Sequence, residues 1–425
     1  MMKRLCVATM LVIAVVFAFT GCGGNVAPAG NDSTGAANQP AQQATSVTFW
    51  DGIWNEERFP ELQALWNERF PDVELIGEFQ IDQGMSDRYM LALMTGTAPD
   101  VMLTALDWSA TFGGAGLLSP LNDLIDADNF DLSPFIQGAI NAATIDGNLY
   151  GLPWRSETLT LFYNRDLLAG AGFNSPPTTW DEVLNVAEAV HGDGVSGFGL
   201  VGSNFGNLSF QYIKMLRSSG GDILTPDYSA ATINTPAGLA AAQLYRNLAN
   251  FAPASLLEND NTANRNLFAS GLVAMYVGGI FDVPEIIGAN PDLNFGAALY
   301  PTNNAARGTV LGGWSVVIPR DASNRNASWE FVKFITDPAV ASIYTNTFTG
   351  TGVPAAHLLE YPAEILAVAA DALNYATALP PVPSILPIRR AMYDNLVLTL
   401  SDTLTIEEAV SRLDNDINEL LLEDN

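Results

Sequence analysis

Three tryptophans of this chain each adjoin a charged residue, in Trp50-Asp51, Asp107-Trp108 and Trp154-Arg155. An indole face covers the apolar C–H face of a pyranose ring, and a carboxylate beside it accepts hydrogen bonds from hydroxyls in a pocket with little water. The pattern points to recognition of a polyhydroxylated ligand, although any one tryptophan is equally at home in a core. Other chemistries find less support. With His191, His357, Cys6 and Cys22 as the only residues of their types, a zinc site of the usual ligands is excluded. Asp126 to Asp131 begins like a calcium loop but lacks the glycine at the sixth position and has Gln137 where the bidentate glutamate belongs, so it reads as a solvated acidic loop. Gly192 to Gly197 spells a dinucleotide fingerprint after a helix rather than after a strand, and reads as a turn. No phosphate loop and no Gly-x-Ser-x-Gly elbow is present. No metal and no cofactor is expected. A surface glycoside hydrolase remains the rival from another class, since 46 acidic residues allow a catalytic pair, but nothing singles one out.

The elements that must position these residues alternate. Val47 to Trp50 and Val73 to Ile76 read as strands, Glu57 to Phe70 and Asp87 to Met94 as helices, and Pro99 to Leu103 as a third strand. Trp180 to Val190 reads as a helix and Ile406 to Leu422 as a closing one. The βαβαβ order predicts an α/β fold with an open, largely parallel sheet, which binds ligands outside the carboxyl ends of its strands. Trp50-Asp51 and Asp107-Trp108 stand at such ends, and Trp154-Arg155 just after the strand-like Leu149 to Pro153.

The chain opens with a basic start, Met1 to Arg4, an apolar run from Leu5 to Phe19, and Phe19-Thr20-Gly21-Cys22. The run is shorter than the roughly 20 residues a membrane-spanning helix needs, so residues 1–21 read as a signal peptide. The closing tetrapeptide resembles the bacterial lipobox, whose cysteine is diacylated, which makes Cys22 the expected lipidation site. Residues 22–45 are rich in Gly, Ala, Asn, Gln, Pro and Ser and read as a flexible linker. Once Lys3 and Arg4 leave with the leader, 16 basic residues face 46 acidic ones, a net charge of −30. Such a field repels nucleic acid and anionic headgroups, so no nucleic-acid role is expected. The length beyond residue 45 suits two lobes better than one core.

A series of short stretches then fixes a resemblance. In chain order these are Gly96-Thr97-Ala98-Pro99-Asp100-Val101, Gly116 to Leu121, Tyr150-Gly151-Leu152-Pro153, Leu161 to Leu168, Pro177 to Glu182, Phe268 to Met275, Gly312 to Ile318 and Trp329 to Ile335. Behind a lipobox, they resemble the family 1 extracellular solute-binding proteins of ABC importers, the group that includes maltose-binding protein. The resemblance implies a two-lobed periplasmic-binding-protein-like fold of type II, with hinge-linked lobes and a ligand cleft between them. Residues 46–155 with 308–352 would form the N-terminal lobe and 156–307 with 353–425 the C-terminal lobe, with crossings near Arg155 to Thr158, Arg307 to Leu311 and Thr351 to Pro354. It implies a monomer, not an enzyme, that captures a mono- or oligosaccharide by hinge closure. The sugar would pass to ABC permease subunits, and the protein would be lipid-anchored at the extracytoplasmic face of the cell membrane.

Matching positions carry ligand residues across. Asp107 and Trp108 fall at sugar contacts, Phe281 at a stacking aromatic, Trp314 in a cleft-lining Gly-Gly-Trp segment, and Glu157 at a hinge carboxylate. Asn207 or Phe210 falls near a further contact. With Trp50, Asp51, Trp154 and Arg155 these form the expected ligand set. If Trp314 stacks on a ring, its truncation removes binding and spares stability. One departure matters: Pro387-Ile388-Arg389-Arg390 stands where the maltose protein has a tryptophan, which puts maltodextrin in doubt. Arg389 either faces the cleft, favouring glycerol phosphate or an acidic sugar, or starts a helix and pairs with surface acids. A neutral sugar is the expectation, and a tethered sugar sensor shares the same fold and site.

Overall fold

The structure, a computed structural model, describes residues 46–303 and 308–424. Cys22, the leader, the linker to Thr45 and Arg307 lie outside the described residues. The first strand shows how sequence selects structure. In Ser46–Gly52 the side chains of Val47 and Phe49 are buried while Ser46, Thr48 and Trp50 are half-buried, the two-residue alternation of a pleated strand.

Ten strands build the two larger sheets among the described residues. They are β1 (Ser46–Gly52), β2 (Glu74–Gln80), β3 (Val101–Ala105), β4 (Gly151–Glu157), β5 (Leu159–Asn164), β6 (Ser196–Gly199), β7 (Val273–Gly279), β8 (Phe295–Ala298), β9 (Gly312–Val317) and β10 (Phe348–Thr349). One sheet runs β10-β4-β9-β3-β1-β2 and the other β8-β5-β7-β6. The expectation of a largely parallel sheet is corrected here. Within these two sheets only β1 with β2 and β3, and β6 with β7, pair in parallel. The remaining pairings are antiparallel. The path of the chain is the reason: β4, β9 and β10 re-enter the first sheet after excursions instead of through the crossover helix that makes neighbours parallel. Thr158 alone separates β4 from β5, yet the two strands belong to different sheets. A lobe boundary at 155/156 would fall inside β4.

The helices that matter to the site are α1 (Phe59–Arg69), α2 (Met85–Thr95), α3 (Trp108–Gly114), α4 (Trp180–Val190), α5 (Phe205–Ser218), α6 (Arg325–Thr336), α7 (Pro338–Tyr344), α8 (Ile385–Leu400) and α9 (Ile406–Glu423). Capping boxes start α4, from Thr179 to Glu182, and α9, from Thr405 to Glu408, and satisfy amides that the first turn leaves free. α1 begins two residues later than its periodicity suggests, because Ile53–Arg58 forms a 3₁₀ segment first. That segment carries Trp54.

Each sheet has its own core, giving two lobes. Phe49, Leu103, Trp154 and Val316 pack with Trp66, Phe331 and Phe334 around the six-stranded sheet. Leu161, Met275 and Val277 pack with Tyr212, Met392 and Leu413 against one face of the other sheet, and Phe162, Phe268, Tyr276 and Phe295 cluster with Leu358 and Ile365. The turn reading of Gly192 to Gly197 holds: Gly192, Asp193 and Gly194 all take positive φ and Gly192 bridges to Val195. In the acidic loop, Asp128 accepts from Lys333 and Trp329, and Asp131 accepts from Ser133.

Candidate functional site

β9 lies between β3 and β4, which sets Trp314 opposite Ala105 on one side and Arg155 on the other. Two further indoles converge on Trp314. Trp54, from the 3₁₀ segment after β1, approaches to 4.8 Å between ring centroids, and Trp108, at the start of α3, to 5.8 Å. Tyr89 of α2 stands edge-on to Trp108 at 6.0 Å. The Arg155 guanidinium carbon lies 5.6 Å from the Trp314 ring, 6.0 Å from Trp54 and 5.9 Å from Phe281. Phe281 follows β7, so both sheets contribute to this aromatic chamber. Arg155 is only 5% exposed, and burial pulls its guanidinium below the ordinary value against the pull of Glu157 and Asp51.

The chamber's polar atoms are incompletely bonded. Arg155 donates through Nη1 to Asn346 at 2.7 Å, but its Nε sits 3.4 Å from Glu157 Oε2 without a hydrogen bond. Trp54 Nε1, Tyr89 Oη, Arg155 Nε and Glu157 Oε2 are all buried with no hydrogen-bond partner among the described residues. Native interiors rarely leave such groups unpaired.

A second cluster borders the chamber, one residue from Trp108. Arg389 of α8 is 2% exposed and pairs with Asp107 at 2.5 Å. Its Nε donates to Ser209 Oγ at 3.1 Å and its Nη2 to the Gly206 carbonyl at 2.9 Å, with the Phe210 ring centroid 4.0 Å from the guanidinium. The surface-pairing expectation for Arg389 is therefore corrected: Arg390 makes that contact, to exposed Asp87. The anion-binding alternative loses Arg389 as well, because each of its nitrogens has a protein acceptor.

The expected ligand set divides. Trp108, Arg155, Glu157, Phe281 and Trp314 come together in the chamber. Asp107, Phe210 and Arg389 form the adjoining junction, where half-buried Asn207 stands one residue after Gly206 and gives its amide to Asn204. Trp50 sits at the periphery, 5.4 Å from Tyr89, with its Nε1 donating to Glu78. Two expectations fail. Asp51 is fully buried and accepts from Gly52, Asn55 and the Tyr344 hydroxyl, and burial raises its carboxyl to about 6. Trp154 is fully buried and packs on Tyr344 at 5.5 Å. Adjacent strand residues face opposite sides, so a tryptophan and its charged neighbour on one strand do not both face a ligand. Trp314 is also 9% exposed and part of the core, so its truncation does not spare stability.

Sequence reasoning missed Trp54, Tyr89 and Lys214. The signal for Trp54 was present, as an aromatic just past the carboxyl end of β1. Lys214 stands inside a run of buried residues from Gln211 to Ser218 in α5, a place where lysine is unusual.

The profile of bacterial extracellular solute-binding proteins matches residues 32–342. A maltotriose-binding protein of Pyrococcus abyssi is 25% identical over 303 residues, which cover 69% of this chain and 63% of that protein. An ABC transporter solute-binding protein of Thermotoga lettingae, solved with bound α-D-tagatose, is 27% identical with a TM-score of 0.79, covering 89% of this chain and 100% of that one. Maltose-bound MalE3 of T. maritima shares the fold with a TM-score of 0.78 at 23% identity, over 89% of this chain and 100% of that one.

Proposed function

This chain belongs to the bacterial extracellular solute-binding proteins, and from that premise we propose that it captures a neutral mono- or oligosaccharide by hinge closure and delivers it to the permease of an ABC importer. One observation carries the ligand class: Trp54, Trp314 and Phe281 gather about Arg155, with Trp108 against Trp314, and Trp54 Nε1, Arg155 Nε and its ion-pair partner Glu157 Oε2 make no hydrogen bond. The rings offer faces for C–H surfaces, and the unpartnered atoms offer donors and an acceptor for hydroxyls. The maltotriose-binding relative and the tagatose-bound neighbour support this class. An anionic ligand would rest on Arg155 and Arg389, and it is disfavoured because Arg389 is consumed by Asp107, Ser209 and Gly206 and Arg155 stands 3.4 Å from the Glu157 carboxylate.

The N-terminal lobe comprises 46–155 with 308–352, extended to Glu157 to keep β4 whole, and the C-terminal lobe comprises the rest to 425. Residues 1–21 are a signal peptide, and a lipid on Cys22 with the tether to residue 45 holds a monomer on the extracytoplasmic face of the cell membrane. The bound sugar is released unchanged, with no cofactor. Thermal unfolding against neutral sugars, polyols, glycerol phosphate and uronic acids tests the ligand class. A sugar at 100 times its Kd adds about 2.7 kcal/mol to the folded state and raises Tm by a few degrees. A rise with neutral sugars recovered intact is the expected result; a rise with anions alone, or a cleaved sugar, refutes it. Cys22→Ala is expected to release the protein from the membrane fraction.

A further inference from the structure

The two ends of α5 meet different parts of the molecule. At its carboxyl end Arg217, 7% exposed, donates through Nη1 to the Thr377 carbonyl at 2.7 Å and through Nη2 to the Ala378 carbonyl at 3.0 Å. Ala376 and Thr377 pair with Thr309 and Val310, just before β9 enters the six-stranded sheet. The Thr309 hydroxyl lies 2.7 Å from that of Thr158, the residue between β4 and β5. This end of α5 therefore stands where the chain crosses between lobes. The amino end is 14 residues away, about 21 Å along a helix. There Asn204, the cap of α5, donates through Nδ2 to exposed Asp82 at 3.4 Å. Phe205 packs against the core of the six-stranded sheet, although Leu208, Tyr212 and Ile213 of the same helix belong to the other core.

α8 adds two arginines at that far end. Its Ile388 and Met392 are buried in the lobe of the four-stranded sheet. Arg389 nevertheless reaches Asp107 at 2.5 Å, and Arg390 reaches Asp87 of α2 at 2.9 Å while its guanidinium lies 4.4 Å from the Phe205 ring centroid. Carboxylates of one lobe, from Asp82, Asp87 and Asp107, thus face donors of the other, from Asn204, Arg390 and Arg389.

We propose that these contacts form a clasp, which holds the lobes together without ligand and sets the fraction of the protein that is open. Rotation about the crossings moves the far end of α5 most, so these contacts part before the lobes do. Opening rehydrates the charges of Asp107 and Arg389, which offsets much of the attraction lost. The exposed members, Asp82, Asp87 and Arg390, tune the balance, because an exposed pair contributes little enough to be made and broken thermally.

Interlobe distances measured by pulsed electron resonance test the clasp. Cys6 and Cys22 are the only cysteines, so in a chain with both replaced by Ala, spin labels go only on Glu68→Cys of α1 and Glu419→Cys of α9, both exposed. The unliganded protein is expected to show a short-distance population that matches this structure. Asp87→Ala should raise the ratio of long to short distances by about two- to fivefold, and adding Asp82→Ala should raise it further. Exchanging the partners, Asp87→Arg with Arg390→Asp, should recover the short distance. Tm should change little in all of these, because the altered residues are exposed. A distance distribution unchanged in the double variant and in Arg390→Ala overturns the proposal, as does a shift that the exchange fails to reverse. The measurement needs no ligand, so its failure leaves the carbohydrate reading standing.

Discussion

The chamber around Arg155 and the junction around Arg389 are made from the same parts: a buried arginine, a carboxylate and aromatic rings. They differ in how their hydrogen bonds close. Arg389 spends Nε, Nη1 and Nη2 on Ser209, Asp107 and Gly206. Arg155 spends Nη1 on Asn346, and its Nε meets Glu157 Oε2 only as an ion pair at 3.4 Å, with no hydrogen bond to either atom. A fully satisfied buried network rigidifies the fold, whereas a partly satisfied one has a cost that a ligand removes on binding. The comparison separates a hydrogen-bonded arginine, Arg389, from one that under the proposed function serves recognition, Arg155, although residue type alone does not tell them apart.

The largest expected effect comes from breaking the satisfied cluster. Arg389→Ala leaves Asp107 buried and unpaired, and chemical denaturation should show a loss of about 3–5 kcal/mol. Replacing both partners with apolar residues should recover much of it. If Arg389→Ala costs little stability but abolishes sugar binding, the assignment of the two arginines is reversed.

Next in size is the contrast between two stacked indoles of the chamber. Trp314→Ala removes a core residue and should cost about 3 kcal/mol as well as affinity. Trp54 is half-buried at the rim of the same stack, and Trp54→Ala should weaken sugar binding with a smaller loss of stability. Equal stability losses would place Trp54 in the core.

A smaller effect is expected from pH. Burial raises Asp51 to about 6 and Asp282 to about 7, both above their unfolded values. Each holds its proton more tightly when folded, so its contribution is complete below about pH 4 and is lost as pH rises through 6 to 7. Lys214, depressed to about 7, contributes no change over the acid range because it is protonated in both states below that pH. Tm should therefore climb as pH falls from about 7 to about 5, and Asp51→Asn should flatten the climb. A Tm that falls over that range would contradict the burial of these carboxyls.

Periodicity placed β1, β3, α4 and α9 closely, since their apolar spacing and caps are local features. Of the strand-end pairs, Trp108 and Arg155 lie in the chamber beside Trp314. Asp51 and Trp154 were misplaced because adjacency in sequence becomes opposition across a strand. The antiparallel half of the sheet topology was illegible because it depends on where the chain returns, not on any local pattern. Arg389 finds Asp107 from 282 residues away, a partner that local sequence cannot reveal. Trp54 was within reach of the strand-end rule that selected Trp50.

The most direct test is a crystal structure with a neutral sugar that raises Tm. The account predicts a ring against Trp54 and Trp314, hydroxyls bonded to Glu157 and Arg155, and the Asp107–Arg389 pair unchanged. A sugar lodged between Asp107 and Arg389 with that pair broken, or seated away from the indoles, would contradict it.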